Sequence, residues 1–338
     1  MGRVHFGGSG PGASTYGPSR PPGGGLVADA GDEDPEHPAS SRASSIDHLQ
    51  ARLTALTDDC VAAGLLESLR IAHRWTDVRR IQEISDDNCS HEWLWALDPN
   101  KGPVLSHTEY LNAVRLRLGA GGLDDPVVCG NCDSATLDPS AAHALCCARG
   151  PSTTGHYQVR DKLFEVVCGC DPGAETEPLG LIASHPALRP ADILTSAAIS
   201  GRLAALDVGI VAPEASGSGL DCTTAMYVNK QARYAPHQSE LERGNVQYVP
   251  MVWSAFGRPH AETTTIIRQL TKKAARRRGL PNAALLERRA CAKIGVEIWR
   301  RSARMVMHCL PRASEEELGG ENDPSDPGRS EPPHTAGA

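Results

Sequence analysis

Apolar residues recur at helical spacing from Ile46 to about Arg70 (Ile46, Leu49, Leu53, Leu56, Val61), with Ser44 or Ser45 placed to cap the first turn. The same period returns in "HTEYLNAVRLRLG", where Tyr110, Leu111, Val114 and Leu118 share a face and Gly119 ends the helix. Between these two, "WLWALDPNKG" reads as an aromatic anchor followed by a turn. A third helix is predicted over 157–168, with Val159, Leu163, Val166 and Val167 facing inward. The period then shortens. "AETEPLGL" reads as a short strand interrupted by Pro178, and "DILTSAA", "LAALDVGIVA" and "VQYVPMVW" read as strands, with the helical "TTAMYVNKQARYA" between the last two. That order predicts an α/β domain with a hairpin at its centre. Two further helices are expected over 261–278 and 283–310, separated by "GLPN". In the second, Leu286, Ala290, Ile294, Ile298, Met305 and Cys309 oppose a basic face.

Composition trims both ends. Residues 1–45 and 313–338 are rich in Gly, Pro, Ser or acids and are expected to be disordered, because they cannot repay ordering entropy. No run of 18 apolar residues and no apolar leader occur, so neither a membrane partner nor a signal peptide is expected. An intracellular protein follows as an expectation. The net charge of −7 conceals an asymmetry. Between Arg268 and Arg312 stand 13 Lys/Arg against Glu287 and Glu297, a local excess of +11. An excess of that size points to a polyanion, and nucleic acid contacts are expected from Lys272, Lys273, Arg276, Arg277 and Arg278.

The 11 cysteines are odd in number and clustered, which argues for a metal rather than a disulfide framework. "CGNCDSATLDPSAAHALCC" supplies Cys129, Cys132 and His143, with Cys146 or Cys147 as a fourth ligand. Two thiolates from a tight turn, an imidazole and a further thiolate suit tetrahedral Zn²⁺ and leave no open position, so the ion would be structural.

Asp207 stands in an otherwise apolar strand. Alternation puts Leu203, Ala205, Asp207, Gly209 and Val211 on one face and Ala204, Leu206, Val208 and Ile210 on the other. A four-residue hairpin loop at 198–201 would set Asp192 opposite Asp207, with Cβ atoms roughly 5 Å apart. Two facing carboxylates repel unless bridged, and a divalent cation such as Mg²⁺ or Mn²⁺ bridges them. The alternative is one aspartate capping a turn and the other paired with Arg189 or Arg202. Lys230, on the predicted helix with Met226, Arg233 and Tyr234, could stabilise phosphoryl charge, and Glu175 or Glu177 could add a metal-facing oxygen.

The ordered set of motifs resembles the C-terminal zinc-knuckle and restriction-like (PD-(D/E)xK) endonuclease region of non-LTR retrotransposon reverse transcriptase polyproteins. "CGNC…HALCC" followed by "ARGPSTTGHYQVRDKL" resembles that family's knuckle, and the resemblance favours Cys147 as the last ligand. "RPAD" followed by Asp207 resembles its basic-Pro-Asp motif and second acid, "NKQARY" its downstream Lys and Tyr, and "VQYVPMVWSAFGRPH" its closing strand and turn. The sequence departs from the pattern in three ways. Ala191 precedes Asp192, Gly209 stands where many such nucleases carry lysine, and no YxDD-type polymerase motif occurs.

The resemblance implies a mixed sheet flanked by helices, preceded by a zinc knuckle and followed by basic helices. The expected division is a helical segment over 46–120, the knuckle over 121–150, the nuclease core over 151–258 and basic helices over 259–312. It further implies a nuclear enzyme that nicks DNA, or an RNA–DNA hybrid, to prime a reverse transcriptase encoded elsewhere. Asp192, Asp207, Lys230 and Glu177 would be catalytic with Mg²⁺ or Mn²⁺, and Arg189, Arg233 and Tyr234 would join the basic helix on the nucleic acid. The alternative is a catalytically silent, zinc-containing nucleic-acid-binding remnant.

Overall fold

In a computed structural model of the chain, residues 38–85, 90–120, 123, 125–147 and 151–310 are described. The expected acidic tail and most of the expected N-terminal disordered segment lie outside them. The chain divides into two units, residues 1–60 and 61–338. The described part of the first is one stretch of helix α1 (Pro38–Ile71). This helix begins inside the segment expected to be disordered, and Ser44 and Ser45 are interior to it rather than caps. Pro38 at the first helical position loses no N–H bond, and the Ala/Ser run after it tolerates helix.

The second unit continues with α2 (Trp75–Ser85), a 3₁₀ turn over Glu92–Trp95, and α3 (His107–Leu118). The periodicity argument passed over α2, although Val78 and Ile81 give it a buried face against Leu69. Ser106 and Glu109 form a reciprocal capping box at the start of α3, and Gly119, at φ 75°, ends it. Strands β1 (Val127–Val128) and β2 (Thr136–Leu137) make a small antiparallel hairpin, followed by α4 (Ala142–Cys146). Next come α5 (Ser152–Cys168), β3 (Glu175–Thr176), β4 (Ile193–Ile199), β5 (Arg202–Val211), α6 (Cys222–Tyr234), α7 (Gln238–Arg243), β6 (Val246–Ser254), α8 (Ala261–Arg277) and α9 (Ala284–Cys309).

Strands β3 to β6 form one mixed sheet in the order β3-β4-β5-β6, antiparallel except for the β5–β6 pair. Central β5 is buried along most of its length, as its apolar run requires. Edge strand β6 carries Pro250, in register with Asp207, where a missing donor is tolerated. One face of the sheet, with Ala204, Leu206 and Val208, packs on α5 and α8, and α9 joins the same core. The other, with Ala205, packs on Tyr234, Leu241 and Tyr248. The predicted alternation in β5 therefore holds.

The hairpin reaches that register by another route. Ile193 pairs with Leu206 as the predicted offset demands, but the turn is two residues, Ser200 and Gly201, with Gly201 at φ 73°. A bulge between Thr195 and Ile199 takes up the difference. Asp171 Oδ2 holds it, accepting from Ser196 N at 2.7 Å, Ser196 Oγ at 3.0 Å and Thr195 Oγ1 at 2.7 Å.

Helix α9 differs most from expectation. It is not amphipathic with an open basic face but buried around most of its C-terminal two-thirds, against α3, α4, α5, α8 and the 3₁₀ turn. Trp299 stacks on Trp93, with centroids 4.7 Å apart. Arg304 pairs with Glu109 at 2.7 Å, and Arg300 with Glu297 and, at 3.5 Å, Glu109. Nearer its start, Arg288 pairs with Glu92 at 2.9 Å and Lys293 with Glu165 at 3.4 Å. Three acids distant in sequence, Glu92, Glu109 and Glu165, thus offset part of the +11 excess. Cys291 is disulfide-bonded, which the odd cysteine count did not anticipate.

Glu109 is the acid on which these contacts converge. Burial alone would raise its carboxyl, but the Ser106 N–H and the Arg304 and Arg300 guanidinium groups outweigh that and hold it below the usual carboxylate range. A lowered folded-state value gives stability that is full above the unfolded value and lost as pH falls through the folded one. Glu109→Gln should therefore lower stability by about 3 kcal/mol at neutral pH. The gap should narrow on acidification below the ordinary carboxylate range, as urea unfolding across pH will show.

Candidate functional site

Asp192 immediately precedes β4, and Asp207 lies in the middle of β5. Asp192 N donates to Leu206 O at 2.9 Å, and the Asp192 side chain folds back so that Oδ2 accepts from Val208 N at 2.7 Å. Its Oδ1 lies 3.4 Å from His156 Nε2 on α5. Burial would raise the Asp192 carboxyl, but His156, the Val208 N–H and Lys230 together hold it lowered, so it is ionised at neutral pH. Neither Arg189 nor Arg202 pairs with either aspartate. Arg189 instead reaches Glu177 Oε2 at 2.7 Å.

Asp207 is held from the α6 side. Lys230 Nζ stands 2.8 Å from its Oδ2 and donates to Val208 O, also at 2.8 Å. Tyr248 on β6 donates its hydroxyl to the same carboxylate oxygen. Asp207 Oδ1 takes part in none of these bonds. The missing side chain at Gly209 makes the arrangement possible, because a Cβ there would lie 2.6 Å from Lys230 Cε. The strand position that lacks lysine is the one over which the helix lysine passes.

Asp192, Asp207 and Glu177 line one cleft of about 430 Å³, with Ser152, Thr153, His156, Tyr157, Arg189 and Arg301 also on its walls. Glu177 reaches it through a φ of 49° and is bound by both Arg160 and Arg189, so its oxygens are engaged. Glu175, on β3, is exposed outside this set. Tyr234 is buried, its ring tilted against that of Tyr248 at 4.6 Å, and its hydroxyl donates to Arg189 O at 3.2 Å. It supports the cleft from inside and offers no surface for a nucleic acid, because the helix face it shares with Lys230 is the face turned to the sheet. Arg233 is exposed, 5.6 Å above the Tyr234 ring.

Lys272, Lys273, Arg276, Arg277 and Arg278 are all exposed at the C-terminal half of α8. Two of them also serve the fold. Lys273 Nζ donates to Ser196 O in the bulge at 3.1 Å, and Arg277 to Cys170 O at 2.6 Å. Lys272, Lys273 and Arg276 line a groove beside residues 197–200.

The second constellation is the cysteine knuckle. The β1–β2 hairpin presents Cys129 and Cys132, with Asp133 at φ 54° turning the chain back and Cys129 N donating to Ala135 O at 2.8 Å. α4 and its C-cap bring His143 and Cys147. Four donor atoms, from Cys129, Cys132, His143 and Cys147, lie within 4.8 Å of one another and could hold a metal ion. Cys132 Sγ stands 3.4 Å from His143 Nε2, and Asn131 donates to Cys147 Sγ at 3.3 Å. Cys147, not Cys146, completes the set. The Cys146 thiol is elsewhere and is pushed up to about 11 by burial and Glu214. Cys309, at the end of α9, lies against Cys129 and Cys147, and burial together with these sulfurs keeps it protonated. Gly130 N ties the hairpin to Cys309 O at 2.9 Å.

Sequence reasoning did not assign His156, Tyr248 or Arg301. His156 stood inside a quoted motif without a role. Tyr248 was legible only as a strand residue, and Arg301 only as one charge among thirteen.

The Gly209–Lys230 approach makes a test. Gly209→Ala should cost about 1–3 kcal/mol by driving Lys230 off Asp207. Combined with Lys230→Ala it should cost no more than Lys230→Ala alone, a non-additivity readable in a double-mutant cycle of urea unfolding.

No protein-family model matches the chain, and no curated protein matches it.

Proposed function

We propose that the chain is a metal-dependent DNA endonuclease with a restriction-endonuclease-like core and a structural zinc knuckle, which nicks DNA to prime a reverse transcriptase. The observation that carries this reading is the meeting of Asp192 and Asp207 at one cleft, with Lys230 from α6 paired to Asp207 behind it. The core's helix, three-stranded antiparallel meander, helix and parallel fourth strand, in that order, further support it.

Two carboxylates lining one space suit a small divalent cation, and Asp207 Oδ1 and the Asp192 carboxylate would hold it. When bound, such a cation supplies Lewis-acid polarisation of a phosphoryl oxygen. The chain's own groups divide the remaining work. Lys230, fixed on Asp207 and Val208 O, keeps a positive charge beside the position where phosphoryl charge develops. Tyr248 orients Asp207, and His156 orients Asp192. Glu177, held by two arginines, sets one wall. The Cys₃His donor set is soft, tetrahedral in number and closed, which suits Zn²⁺ in a structural role.

With Mg²⁺ or Mn²⁺ the full chain should nick supercoiled plasmid, and Asp207→Asn or Asp192→Asn should each reduce the rate at least about 100-fold. Salt-sensitive DNA binding with no nicking by the wild type would replace the endonuclease reading with that of a silent nucleic-acid-binding protein. The zinc assignment has its own check. Purified protein should carry one Zn²⁺ per chain by metal analysis, lost in Cys147→Ser and kept in Cys146→Ser.

A further inference from the structure

One charged side chain at the cleft meets no counter-charge among the described residues. Arg301, on α9, is buried to 8% exposure, yet among the described residues no carboxylate pairs with it. Its one hydrogen bond is a long one, 3.5 Å, from Nε to Ser152 O. The other arginines of the C-terminal half of α9, Arg300 and Arg304, both have acids. A guanidinium taken out of water without a partner is costly, and burial depresses this one to about 10. Nor is its route accidental. The stem crosses α5 at Gly155, where a Cβ would lie 2.4 Å from Arg301 Cγ, and the head emerges on the wall of the cleft that holds Asp192 and Asp207.

The same wall carries the start of α5. This 17-residue helix has no side-chain cap at Pro151, so its first N–H groups lack intrahelical partners and present the positive end of the helix dipole. Ser152 and Thr153, its first two residues, line the cleft beside Arg301. An uncapped helix N-terminus with a buried guanidinium that no carboxylate meets, aimed at the same space, has the chemistry of a phosphate site.

We propose that Arg301 and the first turn of α5 form a phosphate-binding subsite, which holds a backbone phosphate of the nucleic acid neighbouring the one presented to Asp192 and Asp207. This rests on the endonuclease reading. The subsite supplies the fixed positive charge that lets a polyanion enter a cleft whose other wall bears two carboxylates. His156, one turn along α5, fixes Asp192. One helix thus sets the spacing between the anchored phosphate and the acids.

The test uses the full chain and two probes, sodium pyrophosphate in thermal unfolding and a short DNA duplex bound without added magnesium. Pyrophosphate should raise the melting temperature of the wild type and of Asp207→Asn, and the rise should vanish in Arg301→Gln. Duplex affinity should fall about tenfold in Arg301→Gln, with the slope of log affinity against log salt shallower by about one, and Arg301→Lys should recover part of it. Arg301→Gln disturbs a buried position, so Thr153→Asp provides a second variant. An acid in the first turn favours the helix while filling the subsite with negative charge, and it should abolish the pyrophosphate response in a folded protein. A pyrophosphate response retained in Thr153→Asp overturns the subsite. A lost response with unchanged duplex affinity overturns its assignment to nucleic acid. Undiminished nicking by Asp207→Asn would instead remove the endonuclease reading and leave the anion measurements standing.

Discussion

Burial of α9 is the constraint on which the rest of the second unit depends. A 26-residue helix can lie inside a domain only if its charges are met there. Helix α3 supplies Glu109 for Arg304 and Arg300, and the 3₁₀ turn supplies Glu92 for Arg288 and Trp93 for the stack on Trp299. These N-terminal elements thus complete the domain by covering what would otherwise be a basic, aromatic surface. The same constraint isolates Arg301. Its neighbours are neutralised, and it alone of this buried arginine group faces the cleft.

The cleft obeys a parallel rule on the sheet. Asp207 interrupts a largely buried strand, and a polar group there must be bonded on every accessible side or open to a ligand. Lys230, Tyr248 and the absence of a side chain at Gly209 satisfy one oxygen and leave the other unengaged. Asp192 is treated differently. Its carboxylate replaces a ladder acceptor for Val208 N, and a histidine meets its second oxygen. The two acids are therefore fixed by separate elements. Their relative position is a property of the β4–β5 register, which the Asp171-held bulge sets.

Much of this was legible in the chain. The period change from helix to strand located β4, β5 and β6 within a residue or two, because buried strands and amphipathic helices leave distinct apolar patterns. The alternation around Asp207 and the short-range cysteine and histidine spacing singled out side chains that the fold does bring together, because those signals are local. What failed was non-local. The pairing of α9 arginines with Glu109 and Glu92 joins residues almost 200 positions apart, so the basic face looked free. The two-residue turn with a bulge gives the same register as a four-residue loop, and no count along the strand separates them. Gly209 read as a missing lysine whose charge Lys230 would have to supply from the helix, but the close passage of Lys230 over Gly209 itself joins residues that the strand pattern does not connect. Tyr234 looked like a surface aromatic for the same reason.

The two sites are also mechanically joined. The knuckle consists of two two-residue strands and a five-residue helix, far too little to hold a core of its own. It is stabilised by its docking on α9 through Gly130 and Cys309, and a bound ion would add the rest. Arg301 lies eight residues before Cys309, about 12 Å along the same helix. Cys146, next to the ligand Cys147, is close enough to the guanidinium to feel its charge. A metal in the knuckle would therefore fix the C-terminal end of α9 and, with it, the arginine that passes over Gly155 into the cleft. In that arrangement an ion in the knuckle would act on the cleft without touching it, by fixing the helix that carries Arg301.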